Sequence, residues 1–439
     1  VPKNHARRRD VLLTYANGLV WSLGNGLVST TLVTYLALDL GASGVAIAWL
    51  LAAPRFAGAL RIVAPALLSV GASYGWGRKP FCLACFAASG VVVALVPTVA
   101  WGYDDAEGPS ELSMRIAALV VAWCVYHLLE YVGGVALWSW IGDLYPRRLR
   151  SQLLGGRERW LTLGRVIGIG VSVLLATLWH TVLPNSSRWA PLAASATVGT
   201  VLMMLALVPL GYVTALASRP SATPAAPWRT LRQALRDRPY RRLLIFSCWF
   251  GFANGLTSSA QAMFPKAIGI PYEQMQAYWV GMWSGQSAIA PWCGRMVARF
   301  GAKRVMLPAQ LVVATGPLWF FLAMPERPWL IGVAFATWIA YAAINVGLDT
   351  LKLGLADPKN NAPYLAVYYA TGDIINGLVT LAGGLLYDTL VKADSEAMRV
   401  FGWLFLAGFV CRLLSAPLIS RIVEQPAQPG ESLASVGPP

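Results

Sequence analysis

Apolar residues run along this chain in long blocks separated by short polar segments. Predominantly apolar blocks fall at about 11–38, 44–70, 80–101, 114–141, 160–183 and 189–216. A second set falls at about 242–267, 273–298, 303–324, 328–354, 362–390 and 396–420. Each is at least as long as the roughly 20 residues with which a helix crosses a hydrocarbon core of about 30 Å. The pattern predicts twelve transmembrane helices, the longest of them tilted or protruding from the lipid. Glycine and proline interrupt many blocks, which membrane helices tolerate where neighbours satisfy the freed backbone groups.

The two sets of six repeat one another. GNGLVSTT at 24–31, in the first block, is echoed by ANGLTSSA at 253–260 in the seventh. IVAPAL at 62–67, in the second, is echoed by AIAPWC at 288–293 in the eighth. The offsets are near half the chain, and both sets begin on the same side, so the repeats are parallel. The expected fold is all-α, with two parallel-repeat six-helix bundles at 1–216 and 242–420. Residues 217–241 form the connector. There Trp228, Leu231 and Leu235 alternate with Arg229, Arg232 and Arg236. This fits either a surface-lying amphipathic helix or an ordinary charged connector. Residues 421–439 are rich in proline, glycine and serine, and read as a disordered tail.

Composition agrees. Hydrophobic residues make up 56% and Asp, Glu, Lys and Arg only 13%, too few to cover a soluble protein of this length. The net charge of +15 would suit nucleic acid, but the basic residues decide otherwise. Of the 35 Lys and Arg, 25 fall in the segments on the N-terminal side of the alternation and six in the opposite segments. That is the positive-inside pattern, with both termini cytoplasmic and no nucleic-acid partner. All six cysteines lie in apolar stretches, which argues against a disulfide framework. Cys82 and Cys85 form a single C-x-x-C without a second pair, so no metal site is expected. The basic start leads into a block too long for a cleavable signal. There is no Walker A sequence, and the only histidines are His5, His127 and His180. An enzyme, a cofactor and an ATP motor are therefore not expected.

Charges within the blocks are costly in lipid and belong in a bundle interior or a wet cavity. The second block carries Arg55 and Arg61, the fourth His127 and Glu130. Counted from the non-cytoplasmic surface these lie at similar depths, so a Glu130–Arg61 or Glu130–Arg55 pair is expected. His127 and Glu130 share a helix face. Three readings stay open for this group: a static network, a proton-coupling site, or solute contact. Arg165 in the fifth block suits an anionic or carboxylated solute. Asp373 in the eleventh suits a cation, a hydroxyl or a proton. Asn25 and Asn254 hold matched places in the two halves, and Asn345 and Asn376 add amides in the tenth and eleventh blocks. Such groups line cavities or join helices. Asp349 and Lys352, three apart near the cytoplasmic end of the tenth block, read as a structural or gate pair. Trp49 and Trp279, similarly placed in the second and eighth blocks, read as interfacial anchors or vestibule walls.

The loop after the second block holds Gly77, Arg78 and Lys79, and its counterpart after the eighth holds Gly294, Arg299, Gly301, Lys303 and Arg304. With the six-plus-six pattern and the long central connector, these loops resemble the major facilitator superfamily over nearly the whole chain. Tyr74 and Gly75 stand where that family has Asp-Arg, and Ala298 replaces the acid of the second copy. The stretch 142–160, with Asp143, Arg147, Arg150 and Arg159, is similar to the family's loop between spans four and five. The resemblance implies that these residues form a cytoplasmic gate, here without the acids of its usual ionic latch. Span five has Gly164, Gly168 and Gly170 but lacks the Gly-Pro of the family's antiporter pattern. The resemblance further implies a monomeric carrier in a bacterial inner membrane. It would move a small solute by alternating access, either proton-coupled or facilitative. The alternative is a non-transporting accessory or sensor of the same fold.

Overall fold

The computed structural model describes residues 2–60, 63, 77–100, 109–144, 150–183, 186–187, 189–215, 227–355, 361–394 and 396–424. Among these, regular structure is entirely helical. In the first half, α1 (Pro2–Leu27) and α2 (Thr30–Asp39) form the first block and α3 (Gly44–Ala59) opens the second. Then come α4 (Arg78–Val93) and α5 (Leu95–Ala100), α6 (Pro109–Leu144), α7 (Arg150–Val182), and α8 (Ala190–Leu205) with α9 (Leu207–Tyr212). The connector contains α10 (Pro227–Arg236). The second half holds α11 (Arg238–Ala267), α12 (Tyr272–Phe300), α13 (Ala302–Ala314), α14 (Gly316–Leu322) and α15 (Leu330–Thr337). It continues through a 3₁₀ turn into α16 (Tyr341–Leu355), then α17 (Asn361–Asp394), α18 (Ala397–Leu413) and α19 (Ser415–Ser420).

Nine helical stretches among the described residues are long and apolar enough to cross a membrane. The three remaining predicted blocks have separate reasons. The first is broken at Val28–Ser29, where the Ser29 hydroxyl caps α2 by accepting the Leu32 N–H at 3.2 Å. The second is described as a helix only over the 16 residues of α3. The eighth forms the 29-residue α12, but Glu273, Gln274, Gln276, Gln286, Arg295 and Arg299 lower its hydropathy.

Packing repeats between the halves. In the first, α1 packs chiefly on α7 and also on α8; in the second, α11 packs on α17 and also on α18. The α4–α6 contact is matched by α13–α16. A polar bond repeats as well. Asn25 Nδ2 donates to the Tyr126 hydroxyl at 2.8 Å, from α1 to α6. The Tyr341 hydroxyl donates to Asn254 Oδ1 at 3.0 Å, from α16 to α11. Lipid tails are as apolar as leucine, so helices here associate by close packing rather than by hydrophobic transfer. Glycine permits that approach. A methyl built on Gly164 or Gly168 would collide with the carbonyl of Leu19 or Leu23 in α1, whereas Gly170 faces open space.

Both described chain ends lie at one end of the molecule. There Asp10 accepts the Thr214 N–H at 3.1 Å, and Arg242 donates to the Arg421 carbonyl at 3.2 Å. The expectation of a disordered tail from 421 is corrected at its start. Ile422 is buried, and the Glu424 carboxylate accepts the Ala302 N–H at the start of α13. An acid at a helix N-terminus meets the favourable end of the dipole, which holds the chain as far as Glu424. The connector is helical at Pro227–Arg236 and packs on α11 and α17. Among its described side chains Ala234 is buried and Leu235 of the predicted apolar face is exposed, whereas those of Trp228 and Leu231 lie outside the described set.

Candidate functional site

The halves meet along α3 against α17 and α7 against α12. Polar contacts tie them together at the end away from the termini. Asp388 of α17 caps α3, its two carboxylate oxygens accepting the N–H groups of Gly44 and Val45 at 2.8 and 2.9 Å. Lys266 Nζ lies 2.5 Å from Asp39 Oδ1. The Tyr35 hydroxyl donates to the Ile270 carbonyl at 3.0 Å. Gln276 Nε2 donates to Ser29 Oγ at 2.6 Å, and the hydroxyls of Ser172 and Tyr272 bond at 2.7 Å. Gly384 lies against the Gly44 carbonyl and the Ala48 side chain, without room for a methyl. Together these contacts seal that end. Sequence reasoning missed them, because Asp39, Lys266 and Asp388 at block ends look like ordinary flanking charges.

Below the seal lies a cavity of about 660 Å³, within the range of small-molecule sites. Both halves line it. Asn25, Arg55, His127 and Arg165 come from the first, and Gln276, Trp279, Asp373 and Asn376 from the second. A second void of about 630 Å³ adjoins it and shares Arg165, Ile169 and Trp283. Asn345 and Ser287 line this second void, toward the end that carries the termini.

Of the two expected partners of Glu130, Arg55 pairs elsewhere, and Arg61 is not among the described residues. Arg55 Nη1 lies 3.5 Å from Asp373 Oδ1, across the junction of the halves. Glu130 instead accepts the Trp21 indole N–H at 3.3 Å, and its other oxygen lies 3.3 Å from His127 Nδ1. The cause is packing: α3 and α17 are direct neighbours, which brings Arg55 to Asp373. His127 is caged by aromatic rings, edge-on to Trp123 at 4.5 Å and stacked near Tyr131 at 5.9 Å. Asn376 Nδ2 donates to the Gly251 carbonyl at 3.1 Å, so it joins α17 to α11 as well as facing the cavity. Trp279 stands in the cavity wall, stacked with Trp283 at 6.4 Å, whereas Trp49 is exposed.

The gate candidates split. Gly77 is the N-cap of α4, where Arg78 begins. Lys79 Nζ donates to the carbonyls of Gly211 and Val213 at 2.6 and 2.8 Å. It thus closes the C-terminus of α9, where a cation suits the dipole, within one half rather than between halves. Gly301 has φ +88, a left-handed conformation that ends α12 and favours glycine. Gly294 lies within α12, and Arg299, close to the end of that helix, is exposed over the Phe300 ring at 5.1 Å. Lys303 and Arg304 open α13. Arg159 is exposed in α7. Asp143 and Arg150 lie within described helices, but their side chains, like all of Arg147, lie outside the described set. Lys352 is buried, 2.5 Å from Asp349 and 2.8 Å from the Tyr369 hydroxyl, so that pair fastens α16 to α17.

Arg412 was passed over in sequence, one arginine in an apolar block. It is 2% exposed. Its Nη2 donates to Thr257 Oγ1 at 3.2 Å, and its guanidinium lies 5.7 Å from the centre of a Trp338 ring. Its Nε and Nη1 have no hydrogen-bond partner among the described residues. A buried charge without a carboxylate costs stability that an apolar side chain of similar length does not. Arg412→Met should therefore unfold at a higher temperature than the parent in a detergent melt, by a few degrees. A lower melting temperature would show that the guanidinium supports the core.

No family model matches the sequence, and none of the curated proteins compared matches it. Solved structures do match in fold. A mutant of the nucleoside transporter NupG superposes with a TM-score of 0.69 at 13% identity, over 94% of this chain and 100% of that one. A D-xylose-proton symporter gives 0.66 at 15% identity, over 95% and 98%. A POT family transporter in complex with 5-aminolevulinic acid gives 0.63 at 12% identity, over 95% and 97%. The chain has an all-α, multi-span membrane fold like that of these solved structures.

Proposed function

We propose that this chain is a secondary active or facilitative carrier of a small solute in a bacterial inner membrane. Its twelve spans form two parallel six-helix bundles, with both termini cytoplasmic. The protein works as a monomer by alternating access. The observation that carries this reading is a cavity with polar and charged side chains from both halves, beneath polar contacts that join the halves at the end away from the termini. A scaffold or sensor has no need of such a cavity. In this reading the described state is closed toward the outside. The bundles rock about the cavity, breaking the seal and opening the opposite end by turns. The solved structures of similar fold, with a nucleoside, a pentose or 5-aminolevulinic acid in their names, supply a starting panel of solutes.

The test is counterflow in liposomes reconstituted with the purified protein, using labelled uridine, D-xylose, 5-aminolevulinate and aromatic carboxylates, with and without an imposed pH gradient. Saturable uptake above empty liposomes is expected for one solute class. A rate that follows the pH gradient assigns proton coupling, and an indifferent rate assigns facilitated exchange. Absence of uptake for every class, with correctly folded protein, would favour the accessory role.

A further inference from the structure

The two voids carry charges of both signs, and the structure sorts them. Arg55 is opposed by Asp373 at 3.5 Å, and His127 by Glu130 at 3.3 Å. Arg165 is different. It is exposed, lines both voids, and among the described residues makes no hydrogen bond or ion pair. Glu130 feels its charge but is already held by Trp21 and His127. The cavity wall from the other half is flat and aromatic. Trp279 and Trp283 stack at 6.4 Å with an interplanar angle of 22°, and Trp283 shares both voids with Arg165.

Resting on the carrier reading, we infer that the solute is an organic monoanion whose carboxylate pairs with Arg165 and whose planar body lies against the Trp279–Trp283 face. A guanidinium presents two parallel N–H groups that match a carboxylate, and such charge-assisted bonds are about twice as strong as neutral ones. A planar apolar body fits an indole face by stacking. The hydroxyl of Ser287 and the amide of Asn345 beside Arg165 supply hydrogen bonds for further polar groups. A phosphate monoester carries about −1.5 to −2 at neutral pH and calls for a second cation, but Arg55 is committed to Asp373. The structure therefore assigns a carboxylate.

The test uses the full-length protein in detergent, with unfolding followed by a thiol-reactive dye. The probes are indole-3-acetate within a panel of aromatic and alicyclic carboxylates, the neutral indole-3-acetamide, phenyl phosphate, uridine and D-xylose. A carboxylate should raise the melting temperature saturably, and its neutral amide should bind at least about tenfold more weakly. Arg165→Gln should reduce the acid to the affinity of the amide, and Arg165→Lys should fall between. Both variants replace a cavity-facing side chain, and an unchanged melting temperature without solute checks their folding. Equal binding of acid and amide, undiminished acid binding by Arg165→Gln, or tighter binding of phenyl phosphate would each overturn the assignment. If uridine or xylose binds and no carboxylate does, the anion assignment falls and the carrier reading stands. If nothing binds and no solute undergoes counterflow, both fall.

Discussion

Valine at Gly384 is expected to abolish transport while leaving each bundle folded, whereas valine at Gly168 is expected to abolish folding. Both glycines sit where helices touch through their backbones, but on different sides of a boundary. Gly168 faces the Leu23 carbonyl and Gly26 inside the first half, on the most extensive helix contact there. A side chain at that point must part α1 from α7, and overpacking of this kind costs about 1–3 kcal/mol or more. Gly384 faces Gly44 and Ala48 of the other half. There the added side chain opposes only the sealed state. A carrier's two states lie within a few kcal/mol of each other, so a penalty of about 3 kcal/mol shifts the population roughly a hundredfold. The check is a cysteine at Ser29, in a background lacking the six native cysteines, reacted with a membrane-impermeant maleimide from outside the cell. The parent should be protected and Gly384→Val labelled, with similar melting temperatures. Gly168→Val should yield little folded protein. Labelling that is identical in parent and Gly384→Val would remove the seal from the mechanism.

The helices were legible in the sequence because lipid enforces a blunt rule: a block of about 20 apolar residues must satisfy its own backbone, and a helix does so. Where the rule weakens, the reading blurs. Ser29 at the break in the first block and Gln276 and Gln286 of α12 line the voids, where a polar lining relaxes the demand for apolar side chains. The repeat was legible through Asn25 and Asn254, which share a tyrosine partnership in each half. Neither tyrosine announced itself, because an amide's partner is set by helix rotation rather than spacing. Depth along the block brought Arg55 and Arg61 level with Glu130, but depth is one coordinate of three. The neighbour of α3 across the interface is α17, so the partner of Arg55 comes from 318 residues away. The acid missing at position 298 illustrates the same limit. A carboxylate does stand at the start of α13, but Glu424 supplies it from the far end of the chain.

The Arg55–Asp373 pair bears on how the halves are coupled. Arg55 is half exposed, so the pair adds little to folding stability, about 0–1 kcal/mol by the record of solvated ion pairs. In the carrier reading its effect lies in the cycle, since rocking the bundles would separate or slide α3 against α17. Asp373→Asn leaves Arg55 without its counter-charge in the cavity, where Arg165 already makes no ion pair among the described residues. Transport is expected to fall at least about tenfold, the equivalent of roughly 1.4 kcal/mol, with the melting temperature within a degree or two of the parent. The charge exchange Arg55→Asp with Asp373→Arg separates two causes. If the pair acts as a latch between halves, the exchange restores most of the lost rate, because attraction across the junction is symmetric. If Asp373 itself carries a proton or touches the solute, the exchange stays inactive, because the carboxylate has moved to the wrong helix. Counterflow rates of the parent, Arg55→Asp alone, Asp373→Arg alone and the exchange form a double-mutant cycle. A coupling near zero would show that the two charges act independently. A single carboxylate in α17 would then be sufficient for the step that the pair otherwise shares.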